Sequence, residues 1–491
     1  MARIAFAPPP PRAASSPVTA NETHGPQLPA SEDFTLARAR AHLRLYTRTR
    51  PPTERLAPLE AAPLFRAQGA EGRSLLTDLA GRRELGLYVC GLPGVGKSTL
   101  MLHLILDDIE MGRACCVLDP HGDLIRAILD RLPDDETTLC RVTLFDPVDT
   151  DWPIGLNLLD ARTERARDLA VQFMLELYEE LFLPDHQGPM LHQSLRNGMR
   201  LLMELGGILP ELPMLFSNHK FLAYRLMLSK DPWVRNYFEK VWQQVTGPGR
   251  GDYLAYFTSK LSCFVDDHLL RNIVGQTQGL DLSAALEGGG VILANLARGV
   301  IGDLNSRLLG LILLHKLERL ALERAAIAPG ERRPVHVYVD EFHEFATEGL
   351  GRFLAAARKF NVGLVLAHQR LETLAPRLRE AVLGTVGNAI LFRQGGSNGF
   401  GALPPLVWPR FGERDLLSLP SYHAVSRVIG ADGTPRLGRL TVPRPMVGGI
   451  GAGDHVRLLT RVQMARPRGD VEREILERLG WTVPAEKGDT P

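Results

Sequence analysis

The sequence has few cysteines, no excess of charge of either sign and no long apolar run. Its five cysteines form no C-x-x-C pair, and three of them lie in apolar stretches, so we expect buried free thiols in a reducing compartment instead of a disulfide framework. The 57 basic and 56 acidic residues give a net charge of +1. Overall charge therefore does not indicate nucleic-acid binding, and any contact with DNA would require a local patch or a pore.

The sequence also lacks the patterns of a membrane-spanning segment and of a signal peptide. No stretch reaches the roughly 18–20 apolar residues that a bilayer crossing requires. Residues 1–7 are followed by a proline run and not by the apolar centre of a signal peptide. These features predict a cytoplasmic protein without a transmembrane segment, which partner proteins could recruit to a membrane.

Residues 1–70 have the composition of a largely disordered leader. Proline, alanine, serine and threonine dominate residues 7–33, whereas residues 36–50 contain five arginines and no acid. The arginine-rich segment fits an arm that contacts DNA, anionic lipid or a partner protein, and it fits a solvated basic helix or linker equally well.

The rest of the chain predicts an α/β core that is interrupted by a helical domain. Short apolar strands alternate with helices over residues 71–160 and 270–445, which is typical of a mostly parallel sheet with helices on both faces. Between them, residues 161–269 carry apolar side chains at helical spacing, as in Leu169, Phe173 and Leu177. We expect this stretch to form an inserted all-α domain, and residues 446–491 to form a tail with a short helix.

A glycine-rich segment follows the first predicted strand. Residues 91–98, GLPGVGKS, fit the pattern G-x-x-x-x-G-K-[ST], in which backbone N–H groups and the N-terminus of the next helix surround phosphates. Lys97 is expected to contact the β- and γ-phosphates, and the Ser98 hydroxyl to bind Mg²⁺. The predicted nucleotide-binding residues are Gly91, Pro93, Gly94, Val95, Gly96, Lys97, Ser98 and Thr99.

Two acidic residues end the apolar strand Val335–Val339. Asp340 is placed to hold the Mg²⁺ and Glu341 to polarise the attacking water, although strands also end in acids without any catalytic role. Gln369 ends the next predicted strand. Because the carboxyl ends of parallel strands line the ligand crevice, Gln369 is expected near the γ-phosphate.

Other polar residues are weaker candidates. Arg358 is a candidate arginine finger for a neighbouring subunit, and Arg393 is a rival for that role; each could instead form an ordinary salt bridge. The turn that contains Asp119, His121 and Asp123 would face the same crevice. The 14 histidines show no H-E-x-x-H or Cys/His spacing, so no zinc site is predicted.

Together these motifs resemble the HerA/FtsK-like superfamily of DNA-pumping ATPases, and most closely its TraG/TraD-type coupling ATPases of conjugative transfer and type IV secretion. The resemblance extends over about Gly86 to Val442. It is carried by VLDPHGDL at 117–124, GVILANLARGVIGDLNSRLLG at 290–310, VYVDEFHEF at 337–345 and LAAARKFNVGLVLAHQ at 354–369, together with GLPGVGKST, GNAILFR and GPMLHQSLRNGM. The resemblance implies a RecA-like P-loop motor core, ATP and Mg²⁺ bound between the subunits of a homohexameric ring, and double-stranded DNA inside the ring.

Two functional hypotheses follow from the resemblance. The first is ATP hydrolysis coupled to DNA translocation, with relaxase or secretion proteins as partners. The second is a regulatory or assembly ATPase that recruits nuclease or effector partners, as in phage defence, with DNA transport secondary. The chain departs from the coupling ATPases because it has no N-terminal membrane helices and no acidic residue just after the strand that ends near Phe392.

Overall fold

The computed structural model describes residues 62–133, 135–181, 189–244, 248–395, 403–445 and 451–481. Most of the predicted leader, including its arginine-rich segment, lies outside these residues. The described residues belong to two compact units, one with residues 62–148 and 281–462, the other with residues 149–280 and 463–481. The domain boundaries given by the sequence analysis stay a prediction.

The first unit is built on a nine-stranded sheet of the described residues. Its strands are β1 (Leu87–Cys90), β2 (Ala114–Asp119), β3 (Val142–Phe145), β4 (Val291–Asn295), β5 (Val335–Val339), β6 (Val362–His368), β7 (Asn388–Leu391), β8 (His423–Ile429) and β9 (Pro435–Thr441). Their spatial order is β3-β4-β2-β5-β6-β1-β7-β8-β9. The seven strands β1 to β7 are parallel, and β8 and β9 add an antiparallel hairpin beside β7.

Burial explains why these short segments form strands. Strands β1, β2, β3, β5, β6 and β7 are buried along their whole length, as expected for a parallel sheet that helices cover on both faces. The helices of this unit are Pro63–Arg66, Ala70–Gly81, Lys97–Glu110, Asp123–Leu129, Glu136–Leu139, Leu282–Glu287, Arg298–Ile301, Asp303–Glu323, Glu348–Ala357, Pro376–Thr385, Pro404–Val407, Glu413–Ser418 and Gly453–Gln463. The predicted α/β core with a mostly parallel sheet is therefore confirmed.

Four buried cysteines belong to the core of this unit. Cys90, Cys115, Cys116 and Cys140 are buried thiols, as predicted. Burial raises the pKa of the Cys116 thiol to about 12, which makes it an inert core side chain.

The helix Asp303–Glu323 carries a glycine where it meets the turn after β5, since a Cβ atom on Gly310 would lie 2.2 Å from Cε1 of Phe345.

The second unit is helical. Its helices are Glu164–Leu181, Pro189–Glu204, Leu212–Ser217, His219–Leu228, Pro232–Asn236, Pro248–Val265, His268–Val274 and Arg468–Leu479. Its core is aromatic: the ring of Phe216 lies 4.5 Å from that of Phe257, 5.0 Å from that of Trp242 and 5.6 Å from that of Phe238, centroid to centroid. The apolar helical spacing in residues 161–269 thus corresponds to packed helices.

A buried ionic cluster joins the helix Arg468–Leu479 to the rest of this unit. Glu211 is fully buried, and its Oε1 accepts hydrogen bonds from Arg225 at 2.5 Å and from Arg478 at 3.0 Å. Val471 and Ile475 pack beside Ile208 in a small apolar cluster. The sequence predicts a tail with a short helix over residues 446–491, whereas the helix Arg468–Leu479 packs within the helical unit.

Candidate nucleotide site

The glycine-rich loop after β1 has the backbone that a phosphate-binding loop requires. Gly94 has φ 73° and Gly96 has φ 116°, a region in which side chains with a Cβ are strained. The helix Lys97–Glu110 starts directly after Gly96. A Cβ atom on Gly96 would lie 3.0 Å from Cδ1 of Tyr422, so the loop also lacks room for a side chain at this point.

Lys97 is buried within its own loop. Its ammonium donates a 3.1 Å hydrogen bond to the carbonyl oxygen of Leu92, and only 5% of the residue is exposed. Burial lowers the pKa of Lys97, and the carboxylates of Glu341 and Asp340 partly oppose this shift. The next residue, Ser98, is exposed and opens toward solvent. The loop therefore presents one buried cation and one exposed hydroxyl.

The predicted acids lie at the edge of the sheet where β1, β2, β5 and β6 end, here called the carboxyl edge. Asp340 follows β5, and its Oδ1 accepts a 3.0 Å hydrogen bond from the backbone N–H of Glu341. Burial, Asp119 and Glu341 together raise the pKa of Asp340 to about 7. Glu341 has φ 41° in the left-handed region, which a non-glycine residue adopts only when its surroundings hold it there.

Gln369 contacts Glu341 directly. The Gln369 side-chain amide donates a 2.8 Å hydrogen bond to Oε1 of Glu341. The other oxygen of Glu341, Oε2, is buried without a hydrogen bond in the described residues and lies 3.4 Å from Nδ1 of His343. The structure thus brings together the two residues that the sequence placed at the ends of β5 and β6. His343 was not predicted, because its position in the turn depends on the backbone of Glu341.

His368 and Asp119 are further buried polar residues at this edge. Burial lowers the pKa of His368 to about 3, and its Nδ1 lies 3.3 Å from the Tyr88 hydroxyl, so the imidazole is neutral. Asp119 accepts hydrogen bonds from the backbone N–H groups of His121 at 2.9 Å and Ile125 at 3.0 Å. Asp119 therefore holds the turn after β2, and its charge acts on Asp340. His121 itself is exposed.

The two candidate arginines lie in different places. Arg393 follows β7, is half-buried, and its carbonyl oxygen accepts a 3.0 Å hydrogen bond from the N–H of Leu92 in the glycine-rich loop. Arg358 is exposed and precedes β6 at its amino end, roughly 20 Å along the strand from the carboxyl edge. The structure therefore places the backbone of Arg393, but not Arg358, beside the glycine-rich loop of its own chain.

A buried ionic cluster fixes the helix Lys97–Glu110 against β5. The Asp108 carboxylate, fully buried on this helix, accepts hydrogen bonds from the Tyr338 hydroxyl at 2.6 Å and pairs with His336 at 2.7 Å, both on β5. Arg83 pairs with the same carboxylate at 2.5 Å and holds the pKa of Asp108 well below its usual range, against the effect of burial. The helix that begins at Lys97 and the strand that ends at Asp340 are thus tied together.

The residues at this edge fit a magnesium–nucleotide ligand. The loop offers N–H groups and Lys97 to phosphates, while Ser98 and Asp340 offer the oxygen ligands that Mg²⁺ prefers. The buried Oε2 of Glu341 lacks a hydrogen bond in the described residues, as expected where a water or ligand completes the site. No group of three or more His, Cys, Asp or Glu residues in the described chain forms an all-protein metal cage.

A glycine-rich loop between a strand and a helix, with acids ending a nearby strand, defines a P-loop α/β fold. Solved structures share this fold. Plasmid coupling protein TrwB in complex with a non-hydrolysable ATP analogue is 14% identical, with a TM-score of 0.51 over 75% of this chain and 87% of that one. TrwB in complex with ADP and Mg²⁺ gives 14% and 0.50 over 75% and 87%. VirB4 of Thermoanaerobacter pseudethanolicus gives 16% and 0.50 over 74% and 90%.

These similarities establish the fold. The chain has the RecA-like core of the TrwB and VirB4 structures, which confirms the fold implied by the resemblance to HerA/FtsK-like proteins. No protein-family model and no curated protein sequence matches the chain. Among the described residues, no helix combines the length and the apolar character that a bilayer crossing requires.

Proposed function

We propose that this chain is a P-loop ATPase that binds ATP–Mg²⁺ at the carboxyl edge and hydrolyses it there. One observation carries this proposal: the glycine-rich loop with Lys97 lies at the same edge as Asp340 and as Glu341, which Gln369 holds by a hydrogen bond. The TrwB structures with an ATP analogue and with ADP and Mg²⁺ support a nucleotide ligand for this fold.

Each side chain has a defined part in the proposed reaction. When the nucleotide binds, the Lys97 ammonium gives up its hydrogen bond to the Leu92 carbonyl and contacts the β- and γ-phosphates. The loop N–H groups surround the phosphate chain. Ser98 and Asp340 hold Mg²⁺, which supplies charge neutralisation at the phosphates. Glu341 accepts a hydrogen bond from the attacking water and receives its proton. Gln369 sets the direction of the Glu341 carboxylate.

We further propose that the chain works as a homohexameric ring that moves double-stranded DNA. The support is the resemblance to coupling ATPases and the shared fold with the conjugative coupling protein TrwB. In this arrangement Arg358, exposed and remote from the site of its own chain, is the arginine that reaches a neighbouring subunit's nucleotide. Arg393, beside its own loop, then acts within its own subunit.

The experiment measures phosphate release with ATP–Mg²⁺, with and without double-stranded DNA, together with the mass of the assembly. The wild type should turn over ATP, and Lys97→Ala should abolish turnover because the phosphates lose their buried cation. Stimulation by DNA and a sixfold mass with nucleotide would support the translocating ring. Turnover that no nucleic acid stimulates would overturn the DNA-motor proposal and favour the assembly ATPase, whereas absence of turnover would overturn the ATPase proposal itself.

A further inference from the structure

A tyrosine lies against the glycine-rich loop, and an exposed arginine lies over its ring; neither has a part in the proposed phosphate chemistry. The guanidinium of Arg444 lies over the ring of Tyr422, with Cζ 5.3 Å from the ring centroid. Arg444 is exposed, and no hydrogen bond or ion pair joins its guanidinium to another described residue. An exposed planar cation that lies on an aromatic ring offers a second face on which another ring can stack.

The position of Tyr422 is fixed by the loop itself. Its backbone N–H donates a 2.7 Å hydrogen bond to the carbonyl oxygen of Val95, and its ring fills the space beside Gly96. Tyr422 has φ 65°, a left-handed conformation that is uncommon for a tyrosine and that directs the chain past the loop. Its carbonyl oxygen accepts a 2.8 Å hydrogen bond from Val442, which places the segment leading to Arg444 at the same point.

This segment also runs along the first turns of the helix Lys97–Glu110. The carbonyl oxygen of Pro443 lies 3.0 Å from Nε2 of His103. Gly96 and His103 are about two turns apart, so they lie on one face of the helix with Thr99 between them. The residues 442–444 therefore follow the helix face that carries Thr99, just past the loop.

The direction of a nucleotide in such a loop decides what meets this segment. The terminal phosphates contact Lys97, while the α- and β-phosphates lie on the loop N–H groups near the helix start. The sugar and base must therefore leave the loop past Ser98 and Thr99. In this chain the segment that ends in Arg444 borders that exit.

Building on the proposed function, we infer that Tyr422 and Arg444 form the nucleoside subsite, in which the base stacks on the outer face of the Arg444 guanidinium. The contact is planar and does not use the hydrogen-bonding edge of the base. Adenine and guanine nucleotides should therefore bind with similar affinity, because every base has a face on which to stack.

Binding measurements on the full chain can separate this subsite from the phosphate site. The probes are the Mg²⁺ complexes of the imidotriphosphates of adenosine and guanosine, and inorganic tripolyphosphate, titrated by calorimetry. Arg444→Ala should lower the affinity for both nucleotides by about tenfold and leave the affinity for tripolyphosphate unchanged. Arg444→Lys should behave like Arg444→Ala, because an ammonium keeps the charge without the plane.

A matched control is available in the same unit. Arg439 is also exposed and lies over an aromatic ring, with Cζ 5.3 Å from the centroid of Phe411, and it pairs with Asp415. Arg439→Ala should change the binding of none of the three probes.

Each other result is decisive. Equal weakening of tripolyphosphate by Arg444→Ala would overturn the inference and make Arg444 a phosphate contact. Unchanged affinity of Arg444→Ala for the two nucleotides would overturn it as well. This also applies if the only effect of Arg444→Ala is that DNA no longer stimulates phosphate release. A wild-type protein that binds tripolyphosphate no more weakly than the nucleotides would deny a nucleoside subsite altogether. Failure of the wild type to bind any of the probes would contradict the proposed function and the inference together.

Discussion

The side-chain amide of Gln369 donates a 2.8 Å hydrogen bond to Oε1 of Glu341. These residues end neighbouring parallel strands, and the contact leaves the buried Oε2 of Glu341 without a hydrogen bond in the described residues. One oxygen of the carboxylate is thus fixed by the protein and the other remains for a water. The left-handed backbone of Glu341 is strained, and this hydrogen bond helps to stabilise that conformation.

Removing the amide should therefore slow the reaction more than it weakens binding. We expect Gln369→Ala to lower kcat by about a hundredfold, because small misplacements of a catalytic group have effects of this size. Nucleotide affinity should stay within about threefold of wild type, because the hydrogen bond between Gln369 and Glu341 does not bind the ground-state nucleotide. Steady-state phosphate release and nucleotide titration measure the two effects. Gln172→Ala, which removes an exposed Gln–Glu pair at 2.8 Å, is the control and should change neither.

The close packing of Gly96 against Tyr422 predicts a binding defect. In Gly96→Ala the new Cβ would lie 3.0 Å from the Tyr422 ring, at a φ of 116° that alanine avoids. The loop should shift and lose its phosphate contacts, so nucleotide affinity should fall by at least about tenfold. Titration with a non-hydrolysable ATP analogue measures the effect. Gly69→Ala, at a glycine with open space and negative φ, should bind like wild type; equal affinity of Gly96→Ala and wild type would contradict the geometry.

The buried carboxyl of Asp340 predicts how stability depends on pH without metal and nucleotide. Burial, Asp119 and Glu341 raise its pKa from 3.8 to about 7. Between these two values the folded protein holds a proton that the unfolded chain has released, so this contribution to stability is present below about pH 4 and is lost as the pH rises through about 7. Asp340→Asn should therefore be more stable than wild type at pH 8 in the presence of a chelator. Denaturation curves at pH 5 and pH 8 give the comparison, and a less stable Asp340→Asn at pH 8 would contradict it.

The buried cluster around Glu211 should control the stability of the helical unit. Glu211→Gln leaves the guanidinium groups of Arg225 and Arg478 near a neutral side chain, which should cost about 3–5 kcal/mol of unfolding free energy. Denaturant titration followed by tryptophan fluorescence is suitable because Trp242 is buried in this unit. Asp470→Asn, which removes an exposed pair with Arg473 on the same helix as Arg478, should have little effect. A similar small effect of Glu211→Gln would show that the cluster is not needed.

Local patterns made much of the core predictable. The apolar runs of β1, β2, β5 and β6 are buried along their length, so their strands could be located from the sequence alone. The glycine-rich loop is a local motif with a fixed backbone, and acids at a strand end are visible in the sequence. Because parallel strands end at one edge, the proximity of Glu341 and Gln369 could also be expected.

The parts that the sequence did not reveal depend on distant contacts. The hairpin of β8 and β9 carries several exposed charged residues, including Arg436 and Arg439, and β8 joins the sheet by pairing with the distant strand β7. The helix Gly453–Gln463 was missed because only three of its residues are buried. Tyr422 lies beside Gly96 because its backbone is left-handed, a conformation that no sequence motif predicts here. Arg478 acquires its role from Glu211, which is far away in the sequence.

The most direct test of the proposed hydrolytic site is the turnover of ATP–Mg²⁺ by Glu341→Gln beside Glu344→Gln. Glu344 lies in the same turn and pairs with Arg298 at 2.6 Å. Loss of a general base should lower kcat by about 10²–10⁴-fold in Glu341→Gln with ATP still bound, while Glu344→Gln should stay near wild type. Wild-type turnover in Glu341→Gln, or equal losses in the two variants, would contradict a hydrolytic role for Glu341 at the end of β5.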